Sequence, residues 1–165
     1  MKGSVLMGGI IAVALATGAG LWYSLQFAYY TEVSGLDQVA VGGEPWPVSN
    51  YRGIDGDSSP LKLRACFTVD REYDPVVTQN DEATPLGAPF WFDCFDAEQI
   101  TLDLKAGLAT AIVAEENEPF GFTSYIARYP DGRAYMWRQI NDCGAAAFDG
   151  EAQPEGCANA ADAGS

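Results

Sequence analysis

Residues 122–140 read FTSYIARYPDGRAYMWRQI, and this stretch decides the fold class. Two runs, Phe122 to Tyr129 and Arg133 to Ile140, flank Pro130-Asp131-Gly132, residue types that turn a chain back on itself. Tyr125 and Tyr129 on the first run, with Tyr135 and Trp137 on the second, supply aromatic cross-strand pairs. The pattern predicts an antiparallel hairpin, and so a sheet around it.

Working outward, Leu108 to Ala114 is a near-continuous apolar run, read as a central strand, with continued helix as the alternative. Before it, Asp96 caps a predicted helix, Gln99 completes a capping box, Ile100 and Leu104 share a face, and Gly107 closes the helix in a left-handed conformation. Leu61 to Val69 alternates. Leu61, Leu63, Ala65, Phe67 and Val69 fall on one face, with Lys62, Arg64, Cys66 and Thr68 on the other, as in a half-buried strand. Asp70 to Pro89 reads as an acidic loop broken by Pro75, Pro85 and Pro89. Phe90-Trp91-Phe92 then reads as a short buried strand or the floor of the core.

The remaining segments are less patterned. Glu32 to Pro60 is rich in Gly and Pro and reads as a connector, with Trp46 between two prolines as a packing anchor. From Gly144 to Ser165 the composition falls to Ala, Gly, Asp and Glu, an irregular tail held by Phe148 and Cys157. The expected class is α+β: one N-terminal transmembrane helix and a small antiparallel sheet with one packed helix, stapled by disulfides. The expected organisation is an anchor over 1–30, a connector over 31–60, an α+β periplasmic domain over 61–143 and an acidic tail over 144–165.

No charged side chain occurs from Gly3 to Thr31. As a helix this run is about 43 Å long at 1.5 Å per residue, more than the ~30 Å hydrocarbon core of a bilayer. Trp22, Tyr23, Tyr29 and Tyr30 crowd its end, where amphipathic rings favour the headgroup layer. Lys2 is the basic residue before it, and the far flank has Glu32 and Asp37 but no Lys or Arg until Arg52. That asymmetry predicts a cytoplasmic N-terminus and an exported domain. Ala14-Leu15-Ala16 resembles a signal-peptide cleavage site, but the apolar run continues to Phe27, which argues for an uncleaved anchor. Every fourth residue from Ser4 to Ala28 is small. Four residues advance about 40° beyond one turn, so this stripe winds, and Gly8, Ala12, Ala16 and Gly20 are the expected contact with another transmembrane helix.

The 135 residues after position 30 carry eight basic against 23 acidic side chains, a net charge of −15. Nucleic acid and anionic lipid are disfavoured as partners, while a basic carrier protein would be steered toward the domain. Four cysteines in an exported domain predict two disulfides, expected as Cys66–Cys94 and Cys143–Cys157, the second pinning the tail.

The chain has no histidine, which excludes Ser-His-Asp and Cys-His catalysis and removes the commonest metal ligand. Asp93, Asp96 and Glu98 surround Cys94, with Asp96 better spent as a helix cap. Asp55-x-Asp57-x-Ser59 has the spacing that opens a calcium loop but lacks the later Glu and meets Pro60, so it reads as a turn. Lys62, Arg64, Arg128, Arg133 and Arg138 suit either a local basic face or internal ion pairs.

The segments Ser58–Phe67, Phe90–Ala97 and Asp131–Gly144 resemble an uncharacterised family of single-pass exported proteins of rhodobacterial alphaproteobacteria. The resemblance implies a Gram-negative inner membrane with a periplasmic domain, and implies no activity or catalytic residue. The functional expectation is a non-catalytic interaction protein without cofactor or metal, an accessory subunit of an inner-membrane complex, with respiratory assemblies as the natural candidates. The alternative is a tethered binding module for a small molecule or ion, built at the Trp91 region or the Asp55 turn.

Overall fold

The computed structural model describes residues 3–69, 80 and 82–157. The acidic loop expected from Asp70 lies outside these residues over 70–79 and at 81, as do Lys2 and the tail end, 158–165. The class is α+β: an apolar N-terminal helix, an antiparallel sheet, further helices and two disulfides.

The central hairpin forms as its sequence dictates. Its strands, β6 (Phe122–Arg128) and β7 (Arg133–Ile140), pair from Phe122↔Ile140 to Arg128↔Ala134. Tyr125 stacks on Trp137 directly opposite, ring centroids 5.9 Å apart, and Tyr129 meets Tyr135 edge-on at 5.5 Å. On the other side of β7 lies β4 (Arg64–Val69), then β3 (Glu44–Asp55) and β1 (Thr31–Ser34). β5 (Thr110–Glu116) flanks β6 and ends the strand order, so the run expected as a central strand closes the sheet instead.

The supposed connector is sheet. Residues 31–60 hold β1, β2 (Gln38–Val41) and β3, the longest strand of the fold. β2 and β3 join through Gly42-Gly43, both with positive φ (60° and 78°), the primed turn that matches strand twist. β3 changes register against β4 between Ser49 and Arg52, where Asn50 adopts φ 55°. Its two halves consequently serve different neighbours, β2 over 44–47 and β1 over 52–55. The bend curls the β2–β3 hairpin round to β5, where the Gly42 N–H donates to the Ala114 carbonyl at 2.7 Å.

This curl creates two cores. Inside it lie Trp46, Tyr51, Phe67, Val69, Ile126 and Met136, with Trp46 buried as the anchor read from its setting between prolines. The opposite face holds Ile54, Phe92, Phe95, Ile100, Tyr129 and Trp137. Because side chains alternate along a strand, β4 sends Ala65, Phe67 and Val69 into the first core and Cys66 toward the second. The face expected to be polar is therefore covered, by the segment 83–96 and by α2 (Ala97–Lys105).

Helix α2 starts on Asp96, whose carboxylate accepts from the Gln99 N–H at 3.0 Å, and ends on Gly107 at φ 70°. The reciprocal half of the capping box is missing, because the Gln99 side chain donates to Asp103. Phe90-Trp91-Phe92 makes no strand: it is a turn closed by Phe92 N–H to the Pro89 carbonyl at 2.9 Å, with Phe92 buried and Phe90 exposed.

The tail also departs from expectation. Asp142–Asp149 forms α3, capped by Asn141 and ended by Gly150 in the left-handed region. Phe148 is 87% exposed and holds nothing, so Cys143–Cys157 does the pinning. α3 packs backbone to backbone: a Cβ at Gly144 would overlap the Gly121 carbonyl oxygen. Gly144→Ala is expected to destabilise the fold by ~1–3 kcal/mol through overpacking, read as a lower thermal midpoint with both disulfides intact.

Arg64 is the buried cation of the fold. Its guanidinium donates to the carbonyls of Leu61 (2.8 Å), Leu63, Leu86 (2.7 Å) and Gly87 (3.1 Å). Desolvation pulls its pKa down to about 10, partly opposed by Tyr30 and Asp55, so it stays charged at neutral pH. Arg64→Leu would orphan these carbonyls at once, and a loss of ~3 kcal/mol or more is expected in denaturant unfolding. An unchanged midpoint would mean that the segment at 86–87 is held by other contacts.

Candidate functional site

α1 (Gly3–Tyr23) runs into a π-helical turn, Ser24–Ala28. Together, Gly3–Ala28 is long and apolar enough to cross a bilayer, as an anchor or a signal sequence would be. The last carbonyls of a helix have no partner inside it. Here the globular domain supplies them. The Trp91 indole N–H donates to the Gln26 carbonyl at 2.6 Å, and Lys62 Nζ donates to the Tyr29 carbonyl at 3.2 Å. An ammonium group at this position also suits the negative end of the helix dipole.

Aromatic rings surround these two bonds. Trp91 stacks on Phe27 at 6.0 Å and meets Tyr30 edge-on at the same distance. Phe90 stacks on Trp22 at 6.3 Å and meets Phe27 edge-on at 5.9 Å. Lys62 lies 4.7 Å from the Tyr29 ring and 5.1 Å from the Tyr30 ring. The turn after β3 passes close beneath, and a Cβ at Gly56 would overlap the Tyr29 carbonyl. Helix and domain thus meet in a packed junction. The aromatic triplet between Pro89 and Asp93 was its sequence signal, but nothing local tells which partner such rings will find.

Gly8, Ala12, Ala16 and Gly20 lie on the exposed α1, and a Cβ at Gly8 or Gly20 would meet nothing within 4 Å. The chain itself therefore leaves this stripe uncovered. Trp91 contacts Gln26 and Phe27 and also lines, with Phe92 and Arg52, a small cavity of ≈130 Å³. At the Asp55 turn, one carboxylate oxygen accepts from the Gly56 N–H at 2.8 Å and the other faces Arg138 at 3.9 Å. Ser59 caps the 3₁₀ turn Pro60–Lys62. These contacts build a turn.

The basic residues do not pool into one face. Lys62 serves the helix end, Arg64 is buried, and Arg133 pairs with Asp131 at 2.7 Å. Arg138 donates to Ser124 Oγ and the Pro60 carbonyl. Around Cys94, Asp93 pairs with Arg52 at 3.0 Å in the open, a contact worth ~0–1 kcal/mol, and Asp96 is the helix cap.

A polar cleft of ≈540 Å³ opens beside the second disulfide. Its asparagines are structural. Asn117 Oδ1 accepts from Gly121 N–H and from Asn141 Nδ2, which also reaches Thr123, and Asn141 Oδ1 caps α3. Among the described residues, no cluster of acidic or cysteine side chains is grouped to hold a metal ion.

A family model matches residues 35–158, described as a family of unknown function, DUF6446. The chain belongs to that family. The match contains all four cysteines and leaves α1 and β1 outside it. No curated protein and no solved structure matches.

Three tyrosines titrate above their ordinary pKa of 10.0. Burial raises Tyr51, with Asp55 adding to it and Arg138 opposing; burial raises Tyr125, helped by Glu82 and Glu116; burial and the hydrogen bond to Asp103 raise Tyr129. A tyrosine is neutral when protonated, so the folded state holds these protons more tightly than the unfolded chain does. Their contribution is complete below pH 10 and is lost as pH rises above it. Urea midpoints should fall above about pH 10, and Tyr129→Phe should flatten part of that slope. A flat wild-type profile would contradict the burial of these hydroxyls.

Proposed function

We propose that this protein is a non-catalytic, membrane-anchored interaction subunit. In this reading α1 remains in a bacterial inner membrane with its N-terminus cytoplasmic, and the disulfide-bonded domain stands in the periplasm. It serves as an accessory subunit of a larger membrane complex, respiratory assemblies being one class with this need. The small face Gly8–Ala12–Ala16–Gly20 meets a helix of the partner, and the acidic domain covers the partner's outer side.

The observation that carries the reading is the junction. Trp91 and Lys62 occupy the free carbonyls of the helix end, and the rings of Phe27 and Trp91 stack. A helix held this way positions the domain against whatever the helix binds, which a flexible tether cannot do. The small stripe supports the same reading, since small residues let helix backbones approach in lipid. The net charge of −15 would steer a basic carrier protein toward the domain.

Co-purification tests the proposal. In mild detergent the wild-type chain should bring down a stoichiometric membrane protein. Gly8→Leu with Gly20→Leu should reduce that yield about tenfold or more while the chain stays in the membrane fraction. Equal recovery from the double variant would remove the stripe from the interface. Recovery of no partner by wild type, together with thermal stabilisation by a small ligand, would favour a tethered binding module instead.

A further inference from the structure

We propose that Phe90 is a second membrane contact, so that the domain rests on the bilayer surface beside the helix instead of standing clear of it. This inference rests on the reading of α1 as a membrane anchor. Depth along the helix is its first support. From Gly3, the start of the uncharged run, to Trp22 is about 28 Å at 1.5 Å per residue, close to the ~30 Å of hydrocarbon that a span must cross. Trp22 then lies at the outer boundary of the core, where indole rings are favoured. Phe90 stacks on Trp22 with ring centroids 6.3 Å apart, so its ring lies within that distance of the same depth although it belongs to the globular domain.

The second support is exposure. Phe90 is 69% exposed, and so are its neighbours at this end of the helix, Leu25 (67%), Tyr23 (58%) and Tyr29 (54%). Through its contacts with Trp22 and Phe27, Phe90 adds to the exposed end of the helix, so the occupant follows from position: the interfacial layer of the same bilayer. The third support is the backbone. The turn that carries Phe90 is closed by its own hydrogen bond, Phe92 N–H to the Pro89 carbonyl, which lowers the cost of a poorly hydrated layer. Lys62 sits at the rim of this surface, beside Tyr29 and Tyr30, at the level where an ammonium group reaches headgroup phosphates. Insertion is aromatic in character and needs no anionic lipid, which suits a domain of net charge −15.

The test uses the full chain in phosphatidylcholine vesicles, with a fluorescent unnatural amino acid at position 90 or, in a second chain, at position 21. Nitroxide-bearing lipids and aqueous iodide are the competing quenchers. Lipid quenching at 90 within about twofold of that at 21, with weak iodide quenching, is the expected result. Strong iodide quenching at 90 beside lipid quenching at 21 would overturn the inference and leave the anchor standing. Loss of lipid quenching at both positions would mean that the anchor itself has failed. The native chain provides a probe-free check. Phosphatidylcholine carrying a photoreactive group near its headgroup should crosslink to residues 89–91 as well as to α1, and labelling of α1 alone would count against the proposal.

Discussion

The fold depends on holding the segment 86–96 against the outer face of the sheet. Two devices do this. Arg64 binds the carbonyls of Leu86 and Gly87 from below, and the Cys66–Cys94 disulfide ties the other end covalently. Both cross-links leave from one strand, at positions two residues apart and so on one side of it. The bridge closes a loop of 28 residues, for which chain entropy alone gives ~3–4 kcal/mol. What it secures is larger than the bridge. Phe92 and Phe95 complete the second core, and Trp91 and Phe90 hold the end of α1. Without this segment one face of the sheet and the Gln26 carbonyl at the helix end would both be left open.

A sheet covered on both faces explains the unusual burial of polar groups. Strand alternation sends Thr123 and Arg64 to the face of the second core and Ser124 to the opposite face, and all three are buried because both faces are covered. Each is compensated. Ser124 Oγ accepts from Arg138, Thr123 Oγ1 from Asn141, and Arg64 donates to backbone carbonyls. Buried polar atoms with partners cost little, whereas the same atoms without them cost ~1–3 kcal/mol each. Three acidic side chains are engaged in this way. Asp96 caps α2, Asp103 accepts from the Tyr129 hydroxyl, and Asp55 shapes a turn facing Arg138.

The junction carries the same logic to the end of the apolar helix. Its last carbonyls have no partner inside the helix, and the domain supplies an indole N–H and an ammonium group. The match to the family covers 35–158 and so includes Lys62, Phe90 and Trp91 but not Gln26 or Phe27. The domain's half of the junction therefore lies within the matched region and the helix's half outside it.

Much of this was legible in the residue order, where the signal is local. The 122–140 hairpin, the Asp96 cap, the Gly107 stop and the apolar helix each rest on residues a few positions apart, and each is present. The β2–β3 hairpin had its signal too, the Gly42-Gly43 pair, but three prolines and short apolar runs masked it as a connector. α3 was hidden because Ala-rich composition says nothing about Gly144 lying flat on Gly121, 23 positions away. Local chemistry determined where the chain turns, where helices begin, and that a helix of this length and polarity suits a bilayer. Only the tertiary structure decided that the second face of β4 is buried, that Arg64 would find carbonyls instead of a carboxylate, and that Trp91 would meet Gln26. Those outcomes join residues tens of positions apart, and they follow from how the sheet bends, which no short window of sequence encodes.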